Sequence, residues 1–299
     1  MKKWDVHLMP DLTGKIVIVT GGNTGLGFQS CLELARKNAT VIIACRTIAK
    51  GELAVTEIRD KIGAEAKLNV MQLDLSDYDS IKSFADGFKA KYQQLHILMN
   101  NAGVVNQKEK GTTRDGSETH MGTNHFGHFA LTGHLIPLLL RTPKARVVTM
   151  SSGGYKSGNI RFDDLNWDKR PYHRVKSYGD SKLANLLFTL KLQQYFERKG
   201  ADAMAVSAHP GLSASPRQQA IGIGGKLTKW LASPLERGSR PQLLAATAPF
   251  VKPLDYYGPR YGVDGPPKFV RIKHEQYNMA IADKLWKVSE EITGVRYNW

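Results

Sequence analysis

Residues 15–35 read KIVIVTGGNTGLGFQSCLELA, an apolar β-branched run that leads directly into a glycine-rich turn and then into a helical pattern. Such a junction is a place to hold a phosphate. Gly21 suits a tight turn, Gly25 lets the backbone come close to an anion, and Gly27 lets the helix pack on its strand. The N–H groups of the helix start then face whatever the turn cradles. The spacing is T-G-x-x-x-G-x-G rather than G-x-G-x-x-G, and taken alone it also reads as a structural strand-to-helix turn.

The same alternation continues outward. Short β-branched runs at 16–20, 40–44, 68–72, 95–99, 146–150 and 204–208 are strand candidates, and helical stretches lie at 26–38, 49–61, 78–92, 118–140 and 177–198. This pattern predicts βαβ units with right-handed crossovers. The expected fold is therefore α/β: a single-domain, doubly wound (Rossmann) parallel sheet over residues 1–299, flanked by helices on both faces. Two irregular stretches, 153–176 and 212–271, interrupt the alternation. In such a sheet the loops beyond the strand carboxyl ends line the ligand crevice, so 153–176 and 212–240 are expected to shape a substrate pocket, the second as a lid. The remainder is expected to cover a sheet edge.

Composition agrees with a folded chain that buries a sizeable core, at 299 residues, 41% hydrophobic and 23% charged. No apolar run reaches the roughly 20 residues needed to span a bilayer; the best candidate, 131–140, is broken by Gly133, His134 and Pro137. The N-terminal MKKWDVHLMPDLTGK has no apolar core of a secretory signal. A cytoplasmic protein, with peripheral membrane contact at most, is expected. Only Cys31 and Cys45 occur, without metal-ligand spacing, and both are expected as small buried residues in a reducing compartment. The net charge of +15 favours anionic partners, but the basic residues are scattered rather than run together, and no nucleic-acid module accompanies them. Nucleic-acid binding is not expected.

Tyr178 and Lys182, in SYGDSKLANLLF, lie four apart on one helix face. An ammonium beside a phenol stabilises the phenolate and makes tyrosine a usable acid/base. At the end of the second strand, where a carboxylate would select NAD, the chain has Cys45-Arg46-Thr47, with Lys50 one turn later. A guanidinium there suits a 2′-phosphate and predicts NADP(H). His125 and His128 have helical spacing without a third ligand; they are expected to pack or line a pocket, and no metal site is expected.

Seven motifs in order resemble the short-chain dehydrogenase/reductase superfamily over nearly the whole chain: TGGNTGLG (20–27), Asp74-Leu75, NNAG (100–103), Asn124 in GTNHFGHF, Ser152 in VVTMSSGG, YGDSK (178–182) and HPG (209–211). The resemblance implies that Gly21, Asn23, Thr24, Gly25, Leu26 and Gly27 form the cofactor turn, with Arg46 and Lys50 at the ribose. It also implies that Asp74, Leu75, Asn101, Ala102, Gly103, Pro210, Gly211 and Ser215 contact the cofactor. Tyr178 would exchange a proton with the substrate oxygen. Lys182 would lower its pKa and bond the nicotinamide ribose, Ser152 would hold the substrate oxygen, and Asn124 would help position a water linked to Lys182. Ser152 is chosen over Ser151, and strand alternation sends the two to opposite sides.

The ACRT stretch, the GTNHFGHFALTGHL helix and the long Ser152 to Tyr178 separation resemble the retinol-dehydrogenase-like branch. That branch also holds relatives of protochlorophyllide reductase, a reaction not expected here because no cysteine follows Cys45. It implies an NADP(H)-dependent oxidoreductase that interconverts carbonyl and alcohol on a lipophilic small molecule. The alternative is a non-catalytic NADP(H)-binding redox sensor, a class that usually loses the tyrosine or lysine kept here. Members commonly pair through the helices bearing Asn124 and Tyr178, so a homodimer is possible. The apolar LANLLFTLKLQQYF suits that interface or burial under the C-terminal segment, and an amphipathic helix at 277–292 suits docking or closure of the chain's own core.

Overall fold

The computed structural model describes residues 4–105, 107–212 and 234–299. β-branched runs form β1 (Ile16–Thr20), β2 (Thr40–Cys45), β3 (Leu68–Gln72), β4 (Ile97–Asn100), β5 (Ala145–Met150) and β6 (Ala203–Ala208), followed by the short β7 (Tyr256–Pro259) and β8 (Pro267–Phe269). They make one sheet in the order β3-β2-β1-β4-β5-β6-β7-β8. All neighbours are parallel except β7 and β8, which pair antiparallel. The order reverses between β1 and β4, and a crevice opens at that switch point.

Strand alternation splits the core between two faces. Val17, Val19, Val41 and Ile43 pack with α1 (Gly25–Arg36), α2 (Ile48–Ile62) and α7 (Leu235–Thr247). Ile18, Ile42, Leu98 and Val147 face α3 (Tyr78–Lys91), α5 (Gly127–Arg141) and α6 (Arg174–Arg198). Between α3 and α5 comes α4 (Thr119–Met121), joined to α5 by a π-helical turn, Gly122–Phe126. The single helix expected at 118–140 is thus interrupted at the position of Asn124, and π-turns of this kind frequently accompany functional residues.

The stretch 212–271 is more ordered than its Pro/Gly content suggests. Of the expected lid, residues 213–233 lie outside the described residues. Residues 235–240 belong to α7, whose Leu243, Leu244, Ala245 and Ala246 are buried, and the lid reading is withdrawn for them. Pro241 sits inside α7, where it has no N–H to give the ladder. Gln242 Nε2 donates to Leu26 O at 3.2 Å and to Ser30 Oγ at 2.5 Å, tying α7 to α1. Arg146 Nη1 donates to Ala245 O and Ala248 O at 3.0 and 3.1 Å, capping the carboxyl end of α7. Beyond it, β7 and β8 add two strands to the sheet, where this part of the chain was expected only to cover its edge.

The final helix, α8 (Met279–Thr293), covers the outer face of α6. Trp286 stacks on Phe188 at 5.8 Å and meets Phe129 edge-on at 5.0 Å. Tyr297 closes over the pair, donating from its hydroxyl to Phe129 O at 2.8 Å, and Lys191 pairs with Asp283. Gly133 permits this approach, since a Cβ there would stand 2.5 Å from Val295 Cγ1. The apolar face of α6 is therefore satisfied within the chain. Among the described residues no helix is long and apolar enough to cross a membrane. Trp286→Ala should lower stability by about 3–5 kcal/mol through lost burial and cavity formation. By uncovering α6 it should also promote self-association; urea denaturation and gel filtration check the two effects.

Candidate active site

The turn after β1 positions the first part of the site. Gly21 and Gly25 adopt φ of 65° and 59°, a region that favours glycine. At Gly27 a Cβ would lie 2.3 Å from Gly21 O, so only a glycine lets α1 settle against the turn. Thr24 is the N-cap of α1 but its side chain accepts no capping bond, which leaves the first N–H groups of the helix to an incoming anion.

Two adjoining cavities run from this turn. One, of about 460 Å³, is lined by Gly21, Asn23, Arg46, Asp74, Leu75, Ala102 and Gly103, with Ala44 and Leu73 as apolar walls. The other, of about 400 Å³, is lined by Asn23, Thr24, Arg46, Thr47 and Lys50. Apolar walls leading to a guanidinium and an ammonium suit a ligand that combines an apolar ring with an anionic group. Asp74 also accepts from Ser76 N and Oγ, at 2.9 and 2.6 Å, which fixes the turn after β3. Asn101 Nδ2 donates to Thr20 O at 2.8 Å, fastening the end of β4 to β1. Leu26 and Pro210 line none of these cavities, and Ser215 lies outside the described residues.

Tyr178 and Lys182 come from α6. This helix begins at Arg174, earlier than expected, because the His173 side chain accepts from Lys176 N. Tyr178 therefore stands in the second turn. Its hydroxyl is hydrogen-bonded to Ser152; burial raises its pKa and the Ser152 bond works against that rise. Lys182 Nζ lies 5.5 Å from the Tyr178 ring centroid and donates to Met150 O at 3.2 Å. Burial brings its pKa down to about 8. The adjacent serines do separate: Ser152 lines a third cavity with Tyr178, while Ser151 Oγ donates to Lys182 O at 2.9 Å. Gly154 lies under the phenol ring, where a Cβ would stand 3.2 Å from Cε1.

Asn124 is fully buried. Its Oδ1 accepts from Val104 N at 2.7 Å, and its Nδ2 donates to Val104 O and Ser181 Oγ at 3.0 and 2.9 Å. Its amide thus joins the β4 loop to α6. Its carbonyl faces His128 Nδ1 at 3.0 Å; a carbonyl can only accept, so Nδ1 carries the proton and Nε2 accepts from Thr20 Oγ1 at 2.9 Å. Burial lowers the His128 pKa to about 4, in keeping with a neutral ring. His125 packs among Phe126, Phe129 and Phe188 and bonds Ser289 Oγ at 2.9 Å. The two cysteines are free and buried, and Cys45 also lines the larger cavity.

Two groups were missed by sequence reasoning. Arg170 bridges Asp164 and Asp180 and stacks over Trp167 at 3.6 Å, while Asp180 accepts from Asn159 N at 2.6 Å. This clamp ties the 153–176 stretch to α6 beside Tyr178. Burial raises the Asp180 pKa to about 7. The other is a buried set: Glu118 Oε1 is 3.2 Å from His120 Nδ1, Ser177 Oγ is 2.9 Å from the same nitrogen, and the His120 ring meets Tyr178 edge-on at 5.8 Å. No recognised motif announces either: Asp164, Trp167 and Arg170 are close in sequence but meet Asp180 only in the fold, and His120 meets Ser177 across 57 residues.

Lys182 also links function to stability. Its folded pKa, about 8, lies below the ordinary lysine value, so the unfolded chain binds more protons between pH 8 and about 10.5 and stability rises with pH there. Below pH 8 the full cost of burying the charge is present. Lys182→Met should therefore be more stable than the parent at pH 7, the gain shrinking towards pH 10, as thermal melts across that range would record.

The comparisons with known proteins agree with this geometry. The family described as short chain dehydrogenase matches residues 15–222. Retinol dehydrogenase 12 of Mus musculus is 40% identical over 289 residues, covering 96% of this chain and 88% of its own. A solved structure of an uncharacterised protein from Mycobacterium paratuberculosis superposes with a TM-score of 0.84 at 35% identity, covering 100% of both chains. Salutaridine reductase from Papaver somniferum, at 22% identity and a TM-score of 0.63 over 80% of this chain and 98% of its own, shares the fold. With a switch-point crevice, a glycine turn and a Tyr178/Lys182 pair at its mouth, the chain belongs to the short-chain dehydrogenase/reductase family, in its retinol-dehydrogenase-like branch, and is an oxidoreductase of alcohol and carbonyl groups.

Proposed function

We propose that this protein is an NADP(H)-dependent oxidoreductase, active in the cytoplasm, that interconverts a carbonyl and an alcohol on a lipophilic small molecule with Tyr178 as the acid/base. The observation that carries the reading is the convergence of Tyr178, Ser152 and Lys182 beside a cavity whose walls include Val105, Val175, Leu212 and Val263. The similarity to retinol dehydrogenase 12 supports an apolar alcohol or aldehyde as the substrate class.

The bound nicotinamide would supply the hydride on reduction and accept it on oxidation. The chain's own residues manage the proton. Burial keeps the Tyr178 hydroxyl protonated at neutral pH, ready to donate from Oη to a carbonyl oxygen held by Ser152. The phenolate left behind is stabilised by the Ser152 hydroxyl and the Lys182 ammonium. Asn124 and Ser181 hold the helix that carries both residues, because Ser181 Oγ also donates to Tyr178 O at 2.8 Å. A protonated tyrosine as the resting state suits reduction, the direction an NADPH-rich compartment drives. Arg46 and Lys50, lining the same cavity as Asn23 and Thr24, support NADP(H) over NAD(H).

NADPH and NADH oxidation should be compared over aliphatic, aromatic, retinoid and steroid carbonyls. Turnover with NADPH is expected, and Tyr178→Phe should lower kcat by about 10²-fold or more. NADPH binding with no turnover of any carbonyl would overturn this reading in favour of a redox sensor. Arg46→Asp should reduce the NADPH-to-NADH ratio of kcat/KM by about tenfold or more, as expected for loss of a charge-assisted phosphate contact. An unchanged ratio would remove Arg46 from cofactor selection.

A further inference from the structure

The cavity beside Tyr178 and Ser152, about 340 Å³, is walled by Val105, Val175, Leu212 and Val263. Among its described lining residues Arg174 is the one permanent charge. His209, on the same wall, is neutral at physiological pH: burial lowers its pKa to about 4, and the nearby Lys156 contributes to that. Among the described residues no carboxylate lines this cavity.

Arg174 differs from three arginines that acidic residues hold. Arg170, four residues earlier, is held by Asp164 and Asp180, Arg237 pairs with Asp264, and Arg161 with Asp163. Among the described residues the Arg174 guanidinium has no ion pair. Nor does its position serve the helix, because it is the first residue of α6, the end where the macrodipole disfavours a cation, and no acidic residue lies in that turn. It stands four residues before Tyr178, on the same face of α6 and about 6 Å along the axis. A molecule whose reacting carbon lies at Tyr178 and whose body fills the apolar walls extends towards this guanidinium.

We infer that Arg174 forms an anion subsite, and that the substrates are lipophilic carbonyl or alcohol compounds bearing a carboxylate at a distance from the reacting carbon. The inference rests on the oxidoreductase reading above and deepens it. The apolar wall contributes affinity through burial, whereas the guanidinium fixes orientation through a bidentate, charge-assisted contact with the carboxylate. The basic surface of the chain, at +15, would also draw such an anion in.

The test uses matched aldehydes: 4-formylbenzoate and 4-formylcinnamate, each beside its methyl ester, with NADPH and the whole chain. The parent should prefer each acid to its ester by about tenfold or more in kcat/KM, expressed mainly in KM. The preference should fall with added salt as the contact is screened. Arg174→Gln should bring the acid-to-ester ratio near unity and Arg174→Lys should restore part of it. A ratio near unity in the parent, or one that survives in Arg174→Gln, would overturn the anion subsite while leaving the oxidoreductase reading intact. Absence of turnover of both acids and both esters, with either nicotinamide cofactor, would overturn that reading and the subsite with it.

Discussion

Where β1 and β4 part company, one hydroxyl carries the geometry of the crevice. Strands that diverge leave backbone N–H groups without a ladder partner, and a buried orphan donor is costly. Thr20 Oγ1 meets that demand, accepting from Asn101 N and Ala102 N at 2.9 Å each. Its own proton goes to His128 Nε2, and His128 in turn donates to the carbonyl of Asn124. The end of the first strand, the loop that lines the larger cavity and the residue at the π-turn are thereby fixed relative to one another. Gly27 completes the arrangement, since any side chain there would push α1 away from the turn.

The reacting end of the site is a contest between burial and charge. Water-poor surroundings raise the Tyr178 pKa and lower that of Lys182, the opposite of what an exposed ion pair would show. Lys182 is only 4% exposed, and its ammonium is held by a main-chain carbonyl rather than by a carboxylate. The charge is therefore not neutralised in place, which the proposed proton transfer at Tyr178 would use to stabilise a phenolate. A carboxylate partner would have made the lysine easier to bury and less useful to its neighbour.

The C-terminal third decides what the two central helices present. In α6 the sequence is apolar almost all round, a composition that suits a partner chain or an internal cover. Trp286, Tyr297 and Trp299 supply the cover, with rings 4.5 to 5.8 Å from one another or from Phe188 and Phe129. The same stretch of chain provides α7 on the other face of the sheet and the β7/β8 edge.

Much of this was legible locally. Six strands followed from β-branched runs, the phosphate turn from three glycines, and the Tyr178/Lys182 face from a spacing of four, because periodicity and glycine geometry act over a few residues. The family resemblance, carried by motifs such as NNAG and HPG, was likewise written in short stretches. What escaped depended on contacts between distant segments. α7 was hidden by Gly238 and Pro241 within it, and it is stable because Leu243, Leu244 and its alanines are buried against α1. The Arg170–Asp180 bond, the contact of His120 with Ser177 and the internal partner of Asn101 join residues 10 to 81 apart. The position of Arg174 over the pocket likewise depends on where α6 begins. By itself the sequence determined most of the elements, though not α7, β7 or β8, and which chemistry the chain carries, since propensity, periodicity and motif spacing are local. The tertiary structure decided which side chains are buried, which charges are paired and which one is left facing the cavity, because those outcomes depend on the packing of the whole fold.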